Sequence, residues 1–195
     1  ELMRVALYAS KHDIPVHHPR FTVPTGEMID DNSRNLFIQV FGDGLIDAFD
    51  ISVVATELDG GVRASNDKVA GSLELTPNVK AYKAGDIVEI KVSGKDLNAV
   101  NALGFGLPYN TTEFEYVGVE LVGMKDMVNL TYDRLHSNGQ KALYPTFVNR
   151  GNNTLLDNGS NHLFTIKLKA KKAGKFNLKA IDGILVDRNL GTIAF

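Results

Sequence analysis

The chain has 195 residues with 21 basic and 23 acidic side chains, and its formal net charge of -2 is too small to attract nucleic acid or anionic lipid over a distance. It contains no cysteine, which excludes disulfides, thiol nucleophiles and cysteine-ligated zinc. No apolar run approaches the ~20 residues of a membrane-spanning helix. We therefore expect a globular chain without nucleic-acid partners and without a membrane span.

The first 58 residues predict a small β-module. Four short stretches there are rich in β-branched and aromatic side chains, which favour strands. The tripeptide Gly42-Asp43-Gly44 lies between the last two stretches, and glycine permits the positive φ angles of a tight hairpin. We expect an Ig-like or incomplete β-sandwich at residues 1–58, with strands at 3–9, 21–24, 35–41 and 48–58.

A change of composition separates this module from the rest of the chain. Residues 59–67 read Asp-Gly-Gly-Val-Arg-Ala-Ser-Asn-Asp, and small polar residues with adjacent glycines are typical of linkers. We therefore predict a linker at 59–68 and a second module at 69–195. The chain begins at Glu1 without an initiator Met, and we expect it to be part of a longer protein.

The second module has the alternation of half-buried antiparallel strands. Val88, Ile90 and Val92 alternate with Glu89 and Lys91, so one face of the strand is apolar and the other polar. About nine such segments at near-regular spacing predict an all-β, two-sheet sandwich. The predicted strands are 72–75, 87–93, 102–107, 114–122, 127–132, 141–149, 163–171, 176–180 and 183–186.

Helical periodicity is weak throughout the sequence. No long window keeps apolar residues at i, i+3, i+4 and i+7 without an interrupting Gly, Pro or Asn. Any helix should therefore be a single turn. The best position is 110–113, where Asn110 or Thr111 can cap the turn.

Several motifs of the second module occur in the order found in one known family. Residues 79–86, Val-Lys-Ala-Tyr-Lys-Ala-Gly-Asp, precede the strand Ile-Val-Glu-Ile-Lys-Val. Residues 103–110 read Leu-Gly-Phe-Gly-Leu-Pro-Tyr-Asn, and residues 158–166 end in Leu-Phe-Thr-Ile. This order resembles the cohesins, although Pro108 and Thr111 depart from the family's turn.

The resemblance implies both a fold and a role. Cohesins are jelly-roll β-sandwiches that bind dockerins, and related modules are attached to the C-terminus of bacterial multimodular glycoside hydrolases. It therefore implies a noncatalytic accessory module of a secreted, periplasmic or cell-surface enzyme, which acts in docking or domain spacing. The implied partners are a parent catalytic domain and a dockerin-like module. We recognise no family resemblance in residues 1–58.

Two sets of residues are candidates for binding. Aromatic faces stack on sugar rings and amides bond to their hydroxyls, so a cluster near residues 132–150 indicates an alternative function as a glycan-binding module. By resemblance, exposed residues of the same sheet would instead contact a protein. Strand alternation puts Tyr144 and Phe147 on opposite faces unless Pro145 creates a bulge. The candidate residues are Asn129, Thr131, Tyr132, Tyr144, Thr146 and Asn149, with Phe147 and Arg150 beside them.

Metal and catalytic sites are not expected. His12, His17 and His18 share one segment, but no carboxylate completes a known zinc signature there. His136 and His162 lack a nucleophile motif. Acidic pairs for glycoside hydrolysis are available, but neither module is long enough for the usual supporting fold. We therefore predict no cofactor and no catalytic residue.

Overall fold

The computed structural model describes residues 47–60, 66, 68–135, 141–150, 155–157 and 162–195. Within these ranges the chain forms one helix and thirteen strands. They are α1 (Ala48–Leu58), β1 (Ala70–Pro77), β2 (Ala81–Tyr82), β3 (Ile87–Asn98), β4 (Ala102–Tyr109), β5 (Phe114–Leu121), β6 (Val128–Asn129), β7 (Tyr132–Leu135), β8 (Lys141–Tyr144), β9 (Thr146–Val148), β10 (His162–Ala170), β11 (Gly174–Lys175), β12 (Ile181–Val186) and β13 (Thr192–Ala194).

The first sheet has the strand order β1-β3-β10-β5, and all of its pairs are antiparallel. Val88, Ile90 and Val92 of β3 are fully buried, whereas Ile87 and Lys91 are exposed. On β10, Phe164, Ile166 and Leu168 are fully buried in the same layer. The alternation in the sequence therefore produces one core face and one solvated face, as predicted.

The second sheet has the order β13-β12-β4-β8-β7, and β9 pairs with β4 and with β6. β8 and β9 lie on either side of Pro145, and both pair with β4. The register runs from Leu107↔Leu143 to Gly104↔Thr146 in equal steps on the two strands. Pro145 therefore introduces no bulge, and its carbonyl accepts a hydrogen bond from the Phe105 amide at 3.2 Å.

The core lies between the two sheets. Phe105 of β4 and Phe147 of β9 meet Phe164 of β10, with ring centroids 6.3 Å and 4.6 Å apart. All three rings are buried, and each belongs to one cluster that joins both sheets. Burial of a phenylalanine side chain contributes about 1.5–3 kcal/mol, so these contacts hold the sheets face to face. The predicted antiparallel β-sandwich is confirmed.

Two predicted elements of the sandwich take a different form. Residues 176–180 were expected to form a strand, and this is wrong: only Gly174–Lys175 pairs, with Ala81–Tyr82. Phe176 and Leu178 nevertheless pack on the core, so the alternation reflects burial without a neighbouring strand. At 110–113 a turn forms rather than a helix, and Asn110 Oδ1 caps it by accepting a hydrogen bond from the Thr112 amide at 2.9 Å.

The strand predicted at 48–58 is wrong, because these residues form the 11-residue helix α1. The expectation that any helix would be a single turn is wrong for the same reason. Every residue from Asp50 to Ala55 is buried, so the segment lacks the polar stripe that marks an amphipathic helix. A short continuous apolar run cannot be assigned to helix or strand from periodicity.

The rest of the predicted N-terminal module lies outside the described residues, including its strands at 3–9, 21–24 and 35–41. The division at 59–68 stays a prediction. Within the described part of the chain, no helix has the length and apolar character needed to cross a membrane.

Candidate functional site

The outer face of the second sheet is the surface where the candidate residues meet. Leu103, Phe105 and Leu107 of β4 point into the core. The intervening residues, Gly104 and Gly106 among them, therefore lie on the outer face. Because glycine has no side chain, the middle of this face is low and admits close neighbours.

Half of the outer face lies under α1. Ala48, Ile51 and Ala55 of the helix form a buried cluster with residues of β4, β9 and β12. A Cβ atom at Gly104 would lie 3.2 Å from the Ala48 Cβ and 3.3 Å from the Thr146 Oγ1. Gly104 thus allows the helix to approach the strand closely. We call this part the covered half; its sheet residues are Ala102, Gly104, Thr146, Val148 and Val186.

The two ends of α1 are fixed by carboxylates. At the start, Asp47 Oδ1 accepts a hydrogen bond from the Phe49 amide at 2.7 Å, and Asp50 Oδ2 accepts one from the Asp47 amide at 2.8 Å. This reciprocal arrangement is a capping box. After the helix, Arg150 Nη2 donates to Asp59 Oδ1 at 2.6 Å, which joins the helix end to the residues that follow β9.

The other half of the face is open, and a short row of residues crosses it. Ile181 of β12 pairs with Gly106, and a Cβ atom at Gly106 would lie 2.9 Å from Ile181 Cγ1 and 3.4 Å from Tyr144 Cε1. Ile181 is 40% exposed and Tyr144 is half-buried. Tyr132 of β7 pairs with Tyr144 and extends the row by one strand. These four residues are called the open row.

The candidate residues differ in their accessibility. Asn129 is exposed, Thr131 is half-buried, and the Asn129 Oδ1 accepts a hydrogen bond from the Thr131 amide at 2.9 Å. Thr146 and Asn149 expose only 4% and 5% of their surface, so neither is accessible to a partner in this conformation. Phe147 is fully buried in the core, as strand alternation requires once Tyr144 faces outward.

An ionic cluster at one end fastens β7 to the sheet. Asp133 Oδ2 accepts hydrogen bonds from Tyr109 Oη at 2.8 Å and from Lys141 Nζ at 2.9 Å. Burial, together with the hydrogen bond to Asp133 and its negative charge, raises the pKa of Tyr109 far above its ordinary value. The phenol therefore stays protonated and serves as a donor that holds the strand bearing Tyr132.

No group of three or more His, Cys, Asp or Glu side chains in the described ranges is arranged to hold a metal ion. His12, His17 and His18 lie outside those ranges, as does His136. His162 is half-buried, and its Nε2 lies 3.0 Å from Thr165 Oγ1.

A model of the cohesin domain matches residues 75–192. This chain belongs to the cohesin family. The matched region runs from the end of β1 to the start of β13 and so contains all the strands between them, whereas α1 precedes it. The resemblance drawn from the motifs at 79–92 and 103–110 is confirmed.

One solved structure with a TM-score above 0.5 agrees with this assignment at the level of fold, and two further cohesin structures are similar at lower scores. The chain is similar to the cohesin module of a Clostridium perfringens family 33 glycoside hydrolase, with 12% identity and a TM-score of 0.51 over 66% of this chain and 91% of that chain. It is also similar to a type II cohesin domain from the cellulosome of Acetivibrio cellulolyticus, with 12% identity, a TM-score of 0.46, and 65% and 89% coverage. A type I cohesin–dockerin complex from Clostridium thermocellum contains a chain with 16% identity, a TM-score of 0.47, and 67% and 92% coverage. The comparison with curated proteins gives no match.

Sequence reasoning missed the residues through which α1 meets this cohesin domain. One local signal was present, because Asp47 and Asp50 have the spacing of a capping box directly before an apolar run. No local signal indicates that Ala48 would lie beside Gly104, since these residues are distant in sequence and meet only in the folded chain.

Proposed function

We propose that this cohesin domain is a protein-docking module and that the outer face of its second sheet receives the partner. The open row carries the proposal. Its members combine an exposed apolar side chain, Ile181, with an aromatic one, Tyr144, on either side of Gly106. Protein interfaces are enriched in aromatic residues, and the residues that contribute most to affinity cluster in well-packed pockets near the centre.

The partner we propose is a dockerin-like module. One of the similar structures is a type I cohesin–dockerin complex from Clostridium thermocellum. Asn129 lies on β6, at the edge of the same sheet, where it is exposed and provides a polar group for the rim of an interface. The Oγ1 atom of Thr131 is buried, so the proposed contact residues are Asn129, Tyr132, Tyr144 and Ile181. Such a face acts without a cofactor.

We also propose a setting for the module: a noncatalytic part of a secreted bacterial carbohydrate-active enzyme. One of the similar structures is a cohesin module of a family 33 glycoside hydrolase. In this setting the domain docks or spaces a catalytic domain. An immunoblot of source cells tests the setting, because a band far larger than 21.3 kDa that co-fractionates with glycosidase activity is expected. A band at that mass without a larger precursor contradicts it.

Calorimetric titration tests the docking function. The chain is titrated with recombinant dockerin modules, beginning with the one from the Clostridium thermocellum complex, and with soluble oligosaccharides. We expect a dockerin to bind and the saccharides to give no heat. I181D should weaken binding at least about tenfold, because it introduces a charge at an apolar contact.

The control and the competing result are both specific. V117D makes the same change at an exposed valine of β5 in the first sheet and should change affinity less than about twofold. Equal losses in I181D and V117D would place the interface elsewhere. Saccharide binding that is lost in Y144A would establish the glycan-binding alternative instead.

A further inference from the structure

The helix α1 is buried on the side that faces away from the sheet as well as on the side that packs against it. Ala48, Ile51 and Ala55 form the stripe that packs on the sheet. With 3.6 residues per turn, Val53 lies on the opposite side of the helix from this stripe. Val53 and Val54 are nevertheless each only 2% exposed, and neither belongs to an apolar cluster formed by the described residues. Other residues therefore pack on the outward side of α1.

The sandwich accounts for only one side of the surroundings of α1. The strands on which the helix packs are β4, β9 and β12, which all belong to the second sheet and so lie beneath the helix. The low exposure of Val53 and Val54 is that of a single chain. The residues that pack on the outward side of α1 therefore belong to the same chain and not to a second copy.

Composition shows which part of the chain can bury the two valines. Apart from residues 1–46, the segments outside the described ranges are short: 61–65, 67, 136–140, 151–154 and 158–161. Val62 is the only large apolar residue in these short segments. A fully buried core side chain typically touches about 6–12 other residues, so one valine is not enough to bury Val53 and Val54. This leaves residues 1–46 as the source of the apolar contacts.

Within that part of the chain, residues 35–41 fit the outward side of α1 best. They read Asn-Leu-Phe-Ile-Gln-Val-Phe, and five of the seven are large and apolar. In an extended conformation they span roughly 23 Å, enough to follow the 11-residue helix, which is about 17 Å long. Gly42-Asp43-Gly44 follows directly and permits the reversal that brings the segment back along α1. Such a short connection also costs little closure entropy.

The chain that follows α1 is attached to the sandwich at two points. Arg150 Nη2 donates a hydrogen bond to Asp59 Oδ1 at 2.6 Å, directly after the helix. Asn98 Nδ2 donates one to the Lys68 carbonyl oxygen at 2.7 Å. Both ends of the predicted linker at 59–68 are therefore held on the cohesin domain, which fixes the position of α1 on its face.

We propose that residues 35–41 form an intramolecular cover, which packs on the outward side of α1 and encloses the helix between itself and the second sheet. The cover and the sandwich then belong to one packed unit, and α1 is the element that both share. This is a property of the chain alone and does not rest on the proposed docking function. Where the outer face receives a partner, the covered half stays closed, and the partner is confined to the open row and the residues beside it.

Disulfide trapping tests the contact between the cover and α1. The chain has no cysteine, so each variant carries only the thiols that are introduced. V53C is combined in turn with one of five partners and oxidised under native conditions: L36C, F37C, I38C, V40C or F41C. Side chains alternate along an extended segment, so either the even-numbered or the odd-numbered partners face the helix. We expect the fastest pair of one set to cross-link at least tenfold faster than any pair of the other set.

Thiol labelling measures the cover without requiring disulfide geometry. F37D/I38D places a charge on each face of the cover and should raise the rate at which V53C reacts with Ellman reagent at least tenfold. L7D/Y8D makes the same kind of change in the predicted strand at 3–9 and should alter that rate less than twofold. Each rate is divided by that of L143C in the same background, which corrects for unfolding of the sandwich because Leu143 lies in the core between the sheets.

Two results would overturn the proposal. If L7D/Y8D raised the V53C rate as much as F37D/I38D, or if V53C cross-linked faster to L7C than to every partner in 35–41, another part of residues 1–46 would bury the helix. If neither double variant changed the V53C rate, and no pair cross-linked faster than V53C/L143C, the residues that pack on the outward side of α1 would lie outside the N-terminal region.

Discussion

Arg150 donates hydrogen bonds to Asp59 from two nitrogen atoms of its guanidinium group. Nη2 lies 2.6 Å from Oδ1, and Nε lies 3.0 Å from each carboxylate oxygen. The hydrogen bond to Asp59 raises the pKa of Arg150, so the guanidinium group keeps its charge across the ordinary pH range. It ties the residue that follows α1 to the end of β9, which makes it a specific contact between the helix and the sandwich.

Substitution of Arg150 should affect the helix more than the whole domain. The Arg150 and Asp59 side chains are 38% and 21% exposed, so solvent screens the pair, and R150A should lower the free energy of unfolding by less than about 1 kcal/mol. Urea denaturation measures this loss. R150K keeps the charge but lacks the two-donor geometry, and it should recover only part of the stability. A loss above about 3 kcal/mol would show that α1 and the sandwich unfold as one unit.

Two glycines with similar backbone angles should respond differently to alanine. Gly71 has φ +105° and Gly85 has φ +92°, both of which disfavour a side chain. At Gly85 no atom lies within 4 Å of the added Cβ, whereas at Gly71 it would lie 2.7 Å from the Lys95 carbonyl oxygen. G85A should therefore cost about 1–2 kcal/mol and G71A about 2–5 kcal/mol. If G85A and G71A lost equal stability in thermal unfolding, the positive φ angle alone would account for the loss.

Alternation along the strands made the sandwich predictable. Val88, Ile90 and Val92 are all fully buried, because period-2 patterning and burial coincide in a sheet with one solvated face. The same rule predicted that the Phe147 and Tyr144 side chains lie on opposite faces of the sheet. These inferences needed only neighbours in sequence and strand geometry.

The covered half could not be predicted in this way. Thr146 is in a strand and on the outer face, where polar residues are usually exposed, yet it is 4% exposed. Its burial coincides with the approach of α1 to Gly104, and a contact between distant segments has no local signature. The helix was not predicted because it is buried on nearly all sides. Its sequence therefore lacks the regular spacing of apolar and polar residues that indicates a helix.

A titration should detect the ion pair on the outer face of the first sheet. Lys167 Nζ lies 2.7 Å from Glu120 Oε2, and the hydrogen bond from Lys167, together with its charge, lowers the pKa of Glu120. K167A should raise this pKa toward its ordinary value when it is followed by NMR of the Glu120 carboxyl. K169A removes a charge two residues along β10 and should leave the Glu120 pKa low. If K169A also raised the Glu120 pKa, the overall charge of the strand, and not the direct hydrogen bond from Lys167, would be the cause of the low pKa.

Tyr109 should make the domain sensitive to alkali. Its pKa in the folded chain is raised by burial and by Asp133, whereas in the unfolded chain it is near 10. The folded state therefore keeps a proton that the unfolded state loses, and the stabilising contribution is complete below about pH 10 and is lost as the pH rises toward the folded value.

Y109F tests this contribution. At pH 7 the free energy of unfolding of the variant should be about 1.5–3 kcal/mol lower than that of the unsubstituted chain, because Asp133 loses a hydrogen-bond donor. In urea denaturation above pH 10, the difference in free energy of unfolding between the two proteins should become smaller. Only the unsubstituted chain loses the stabilising contribution of Tyr109. The pKa values of Tyr82 and Tyr116 are raised as well, so some alkaline loss should persist in Y109F. A gap that stays constant from pH 7 to pH 11 would mean that Tyr109 titrates alike in the folded and unfolded chains.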